Sequence, residues 1–291
     1  MTYPERGVPG EAATTAPAAT TAGPVVPAGR RHGAGGDSRY DERREDEGPA
    51  DDPRAGGTIL LVIAKEPVPG RVKTRLVPPY TPTEAAELAA AALEDTLEVV
   101  ARVPARRRVL VLSGSTGPWL PTGAGFEVVP QATGGLDERI AAAFALCDGP
   151  ALLLGMDTPQ LTAELLAPVT GPRAWDDCDA WFGPAVDGGF WALGLAVPDP
   201  ELARGVPMST PHTGAAQRRR LVDAGLRVRD LPRLRDMDTA PDAAEIARQA
   251  SGGFAARHAE LATPARETRR SGPESPAQRP EHPRSGRGRD V

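Results

Sequence analysis

Thr58 to Ala64 reads TILLVIA, a continuous apolar run of strand length, and it constrains the chain more than any other feature. A strand that is apolar at every position leaves no face for water, so it belongs inside a sheet covered on both sides. Its end leads into Ala64-Lys65-Glu66-Pro67-Val68-Pro69-Gly70-Arg71-Val72-Lys73-Thr74-Arg75-Leu76. Four basic side chains, Lys65, Arg71, Lys73 and Arg75, sit on a loop stiffened by two prolines and loosened by Gly70. Ligands of open α/β sheets bind at the carboxyl ends of strands, and Arg and Lys clustered beside a glycine turn suit a polyphosphate. The loop therefore points to a nucleotide.

The rest of the chain repeats the theme. Thr81-Pro82-Thr83-Glu84 supplies an N-cap, a proline at the first helical position and a capping-box glutamate for an alanine-rich helix reaching about Val103. Strands are expected at Arg108 to Ser113, Phe126 to Pro130, Ala151 to Met156, Ala180 to Phe182, Phe190 to Leu195 and Leu226 to Leu231. Helices are expected over Leu136 to Cys147, briefly after Thr162, and from about Thr213 to Ala224, closed by Gly225. Such alternation implies a mostly parallel sheet with helices on both faces.

Only the middle of the 291 residues carries this periodicity. Residues 1–56 are rich in Ala, Thr, Pro and Gly with mixed charge, and residues 252–291 are rich in Arg, Pro, Ser and Glu. Segments of this kind bury too little surface to offset the entropy of ordering, so both are expected to be disordered tails around one domain at 57–251. The net charge of -5 argues against a nucleic-acid partner, whose footprint is a basic domain. No run of 18 apolar residues suggests a membrane span. Cys147 and Cys178 lack metal-type spacing, and two isolated cysteines with no secretory signal fit the cytoplasm.

The basic loop matches neither common phosphate motif. A Walker loop needs Gly before its Lys-Ser/Thr, whereas Val72 precedes Lys73-Thr74, and no GxGxxG follows the first strand. Acidic residues stand at two other strand ends. Leu154-Gly155-Met156-Asp157-Thr158-Pro159 puts a carboxylate where a buried strand emerges; alone, Asp157 could equally cap the next helix. Asp236-Met237-Asp238-Thr239 follows the last strand, and alternate residues of an extended segment face the same way; here Asp238 or Thr239 could instead start the helix that includes Glu245. Carboxylates from separate strand ends suit Mg²⁺ or Mn²⁺, which take one or two protein oxygens and fill the shell from water and phosphate. With only His212 inside the expected domain, a zinc cluster is not expected. Asp187-Gly188-Gly189 reads either as a hairpin turn or as a place where backbone approaches a ligand.

Taken in order, AKEPVPGRVKTRL, QATGGLDERI, LLLGMDTPQL, GPAVDGGFWALGL, MST and RDMDTAPD resemble the successive motifs of a bacterial family of GT-A-type glycosyltransferases associated with radical-SAM or selenium-domain proteins. That family is similar in fold to molybdenum-cofactor and 2-phospholactate guanylyltransferases. The resemblance implies a three-layer α/β/α nucleotide-diphospho-sugar transferase fold. It implies that Lys65, Gly70, Arg71, Lys73 and Arg75 hold nucleotide phosphates and that Asp157 and Asp238, with Asp236 as understudy, hold the metal. Asp157 and Asp187 become the candidate catalytic carboxylates, and Asp187, Gly188, Gly189, Ser209 and Thr210 face the sugar or acceptor. Met208 stands where the family usually has Trp, which removes an aromatic platform for a sugar ring.

The expected activity is metal-dependent transfer of a sugar from a nucleotide-diphosphate donor to a small acceptor. The alternatives are nucleotidyl transfer from an NTP to a phosphorylated acceptor with release of pyrophosphate, and a non-catalytic nucleotide-sugar binder.

Overall fold

Residues 57–263 are described by the computed structural model. The apolar runs become seven strands, β1 (Ile59–Lys65), β2 (Arg107–Ser113), β3 (Phe126–Pro130), β4 (Ala151–Leu154), β5 (Ala180–Pro184), β6 (Phe190–Leu195) and β7 (Val228–Asp230). They form one sheet in the order β3-β2-β1-β4-β6-β5-β7. All are parallel except β6, which runs against both β4 and β5. Six helices accompany them: α1 (Pro82–Arg102), α2 (Leu136–Phe144), α3 (Ala163–Thr170), α4 (Thr213–Asp223), α5 (Ala240–Ala247) and α6 (Gly253–Ala262).

Alternation along the strands sorts the core into two layers. Leu60, Val62, Leu110 and Leu152 face α1 and α3, meeting Leu93, Leu97, Leu166 and Val169. Ile59, Leu61, Val109 and Leu153 face the other way, meeting Ile140 and Phe144 of α2 and Leu221 of α4. Every one of these residues is buried, so the continuous apolar runs are two interleaved half-faces, each covered by helices. This is the three-layer α/β/α arrangement expected from the sequence.

A third cluster positions the site. Val72 and Leu76, inside the basic loop, pack with Ala85, Leu88 and Ala92 of α1, Met237, Ala243 and Ile246 around α5, and Phe254 of α6. One seam thus anchors the basic loop and the Asp236–Asp238 segment against the same helix.

The helix ends follow local chemistry. Thr81 and Glu84 form the expected capping box, with Thr81 N donating to Glu84 Oε2 at 2.7 Å and Glu84 N to Thr81 Oγ1 at 3.2 Å. At α5 the cap is Thr239, reciprocated by Asp242, which leaves the Asp238 side chain out of the capping.

One boundary differs from expectation. The domain does not stop at 251: α6 continues it to Ala262, Phe254 is fully buried, and His258 lies 6.3 Å from the rings of both Tyr80 and Phe254. Residues 252–262 therefore belong to the fold. The expected tail at 1–56, and residues 264–291 of the tail expected at 252–291, lie outside the described residues. The expected last strand shortens to Val228–Asp230, and β4 ends at Leu154, two residues before Met156. Cys147 and Cys178 are both free thiols, and no helix among the described residues is long and apolar enough to cross a membrane.

Candidate active site

Register brings the functional residues to one rim. β1 pairs with β4 through Val62↔Leu154 and with β2 through Lys65↔Ser113, so Lys65 and Asp157, each three residues further on, leave the sheet at the same level. Lys65 N bonds to Met156 Sδ at 3.1 Å. The acidic segment reaches the same rim by running beside β5: Val186 N donates to Leu234 O at 2.9 Å and Leu234 N to Pro184 O at 3.2 Å. Two further bonds fasten it beside Asp157, Met237 N to Asp157 O at 3.0 Å and Gln160 Nε2 to Arg235 O at 2.6 Å.

Lys73 closes the arrangement. Its Nζ donates to Asp157 Oδ2 and, at 3.2 Å, to Asp238 Oδ1. Arg75 Nη1 reaches Asp238 Oδ2 at 3.4 Å. The Lys73 side chain is only 10% exposed, whereas the two carboxylates keep 32% and 33% of their surface and Arg75 keeps 73%. Lysine is thus the inner cation and arginine the outer one. Burial works against the Lys73 charge, yet the adjoining Asp157 and Asp238 carboxylates overcome it and raise its pKa above the ordinary lysine value.

Asp236 points inward and has a different fate. Burial, reinforced by the charges of Asp157 and Asp187, pushes its carboxyl up to about 8. Its Oδ1 is buried without a hydrogen-bond partner among the described residues. The expectation that Asp236 and Asp238 face the same way is therefore corrected in part: both border the cleft, but it is Asp238 that accepts from the basic loop, through Lys73 and Arg75.

These groups border a cleft of about 660 Å³ that also exposes Lys65, Asp187, Gly189, Ser209 and Thr210, and an adjoining recess of about 300 Å³ bordered by Lys65, Arg71, Lys73, Arg75, Asp157 and Asp238. Lys65 Nζ donates to Arg71 O at 2.9 Å, bracing the loop. Gly70 borders neither space; at φ +74 it turns the chain, with open space where a Cβ would stand. Its expected part in phosphate binding reduces to shaping the loop.

Asp187 accepts from Gly189 N at 2.8 Å in the turn between β5 and β6. At Gly188, φ is +91 and a Cβ would collide with the carbonyl oxygen of Pro211, while Gly214 N donates to Gly188 O at 2.8 Å. The double glycine admits the protein's own backbone at the start of α4, which corrects its expected contact with substrate at Gly188 and leaves Asp187 and Gly189 at the cleft. Ser209 has a left-handed backbone at φ 58, and Thr210 Oγ1 accepts from His212 N at 3.2 Å.

Two cleft residues, Gln131 and Arg139, were not singled out from the sequence. Gln131 Nε2 donates to Ala64 O at 2.6 Å and Val111 O at 3.1 Å, and its Oε1 accepts from Arg139 Nη1 at 3.3 Å. Both lie within QATGGLDERI, so the block itself was the available signal.

The donors suit a hard divalent cation. Asp157 and Asp238 are near enough to share one cationic atom, Lys73 Nζ. No three His, Cys, Asp or Glu side chains converge as a ready-made metal cage among the described residues. An ion held here would use two protein carboxylates and draw the rest of its shell from water and phosphate, as Mg²⁺ does.

A protein of Desulfovibrio desulfuricans G20 that carries the provisional name nucleotide-diphospho-sugar transferase is 25% identical, with a TM-score of 0.61 over 70% of this chain and 95% of that one. Rv0371c of Mycobacterium tuberculosis H37Rv, in a structure containing manganese, is 20% identical over 65% of this chain and 97% of its own, at a TM-score of 0.41. The 2-C-methyl-D-erythritol 4-phosphate cytidylyltransferase of Thermus thermophilus is 16% identical over 61% of this chain and 89% of its own, at 0.35. No curated protein matches significantly. Residues 96–210 match a family described as "Uncharacterized protein conserved in bacteria (DUF2064)", and the fold is that of the nucleotide-diphospho-sugar transferases.

Proposed function

We propose that this protein is a metal-dependent glycosyltransferase of the cytoplasm, moving a sugar from a nucleotide-diphosphate donor to a small acceptor, of the kind associated with radical-SAM or selenium-domain proteins. One observation carries the reading. Side chains 84 and 165 residues apart in sequence, Lys73 with Asp157 and Lys73 with Asp238, converge at the rim where the parallel strands end, around a recess bordered by four cations. The likeness to the Desulfovibrio protein supports the same class of substrate.

In this reading Lys65, Arg71, Lys73 and Arg75 bind the diphosphate and offset its charge as the sugar departs. Asp157 and Asp238, with Asp236 behind them, hold Mg²⁺ or Mn²⁺, which when bound supplies Lewis-acid stabilisation of the leaving nucleoside diphosphate. Asp187, Ser209 and Thr210, which border the same cleft, face the sugar or acceptor and accept hydrogen bonds from its hydroxyls.

The test is product analysis on the full chain. Incubation with a panel of nucleotide sugars and MnCl₂ is expected to release free nucleoside diphosphate, with release lost in Asp157→Asn. Pyrophosphate released from a nucleoside triphosphate instead would assign nucleotidyl transfer. Binding without either product, with cellular function intact in Asp157→Asn, would make the protein a binder.

A further inference from the structure

We propose that Lys73 is the resident cation of the metal site: it neutralises Asp157 and Asp238 when no divalent ion is present and transfers to the bound phosphates when metal and nucleotide enter together. This rests on the metal-dependent reading above, and it changes what that reading expects, because it makes metal alone a poor ligand.

The contacts carry the argument. Nζ touches both carboxylates that would hold the ion, from the protected side, with the lysine side chain 10% exposed. One oxygen of each carboxylate, Asp157 Oδ2 and Asp238 Oδ1, is thus already used by a charge. A divalent ion bridging the same carboxylates would lie against the ammonium, and two like charges at contact in a half-buried site repel strongly. Lys73 therefore has to leave before the carboxylates can take the ion.

The means of leaving are also present. The backbone at Lys73 is held: it adopts φ 47, ψ 39 and stands at the start of a single tight turn, Thr74–Leu76, with Val72 and Leu76 buried on either side of it. Movement is left to the flexible four-carbon stem. The recess of about 300 Å³ is bordered by Lys73 itself and by Arg71 and Arg75, whose charges would draw a polyphosphate there. Phosphate in that recess gives Nζ an alternative anion, so each ligand relieves the cost the other meets. Coupling of this kind is reciprocal: metal raises affinity for the nucleotide by the factor by which nucleotide raises affinity for metal. Arg75 cannot play the resident part, because it is largely solvent-exposed and reaches only Asp238.

The experiment titrates the full-length protein with MnCl₂ alone, following free Mn²⁺ by electron paramagnetic resonance. Wild type is expected to bind weakly and Lys73→Met at least tenfold more tightly, with Asp157→Asn in the Lys73→Met background abolishing the gain. Lys73→Gln, which retains hydrogen bonding without charge, is expected to move the same way and serves if Lys73→Met does not fold. Equal or weaker Mn²⁺ binding in both variants, with wild-type binding lost in Asp157→Asn, would overturn the resident-cation role and leave the metal site standing. Absence of Mn²⁺ binding in wild type and in both variants would overturn the metal site itself, and this proposal with it.

Discussion

Asp236→Asn isolates the most perturbed carboxyl of the cleft. An aspartate in the unfolded chain loses its proton near 3.8, whereas the folded protein keeps it to about 8. Between those values the native state binds one more proton than the unfolded state, so stability falls as pH rises, by about 1.4 kcal/mol per unit. Over roughly four units the loss is at most about 6 kcal/mol, a large share of the total stability of about 5–15 kcal/mol typical of a domain. Asparagine has nearly the same shape and no proton to lose. The variant should match wild type near pH 4, gain on it steadily above that, and hold a constant advantage beyond about pH 8. Urea unfolding midpoints from about pH 4.5 to 8.5 read this directly, because the other titrating groups are common to both proteins. A divalent ion held by Asp157 and Asp238 would offset two of the charges that push Asp236 up, so Mg²⁺ supplied together with nucleotide should flatten the wild-type slope and leave the slope of the variant unchanged. Parallel profiles for the two proteins, or a variant less stable at pH 8, would refute the reasoning.

Other substitutions separate architecture from chemistry. Phe254→Ala should cost about 3–5 kcal/mol, since the ring is fully buried, and truncation after residue 251 should lower the melting temperature comparably; an unchanged melting temperature would detach α6 from the domain. Gly188→Ala should cost about 3 kcal/mol or more, combining a left-handed backbone with the collision at Pro211, whereas Gly70→Ala, with open space around it, should cost about 1 kcal/mol; thermal unfolding distinguishes them. Arg75→Ala removes a largely exposed ion pair, so stability should change by less than about 0.5 kcal/mol while KM for the nucleotide sugar rises; a large loss of stability would give Arg75 a structural role instead.

The fold was legible because its signals are local. TILLVIA, RVLVLS and ALLLGM announce buried strands without reference to anything distant, and Thr81 and Glu84 meet across three residues. The rim of the sheet was legible for the same reason: a charged loop directly after a buried strand has one place to be. The capping alternative at Asp238 was settled by its neighbour, since Thr239 with Asp242 completes the cap and frees the carboxylate.

What stayed illegible depends on partners far away in sequence. The start of α6 has no capping side chain of its own; Asp95 of α1 supplies it, accepting from Gly253 N at 2.8 Å and Phe254 N at 2.9 Å across 158 and 159 residues. Without that cap, and with Phe254 as its one fully buried side chain, the segment looks like the polar tail that follows. Lys73 is the same case. Its loop announces affinity for an anion, but the anions it meets in the folded protein are Asp157 and Asp238, brought there by the packing of Val72, Leu76 and Met237 on α1. The glycine pair at Gly188-Gly189 reports that something comes too close for a side chain, and at Gly188 that something is Pro211. A local pattern states the need for a partner, and only the packing of the core decides which partner meets it.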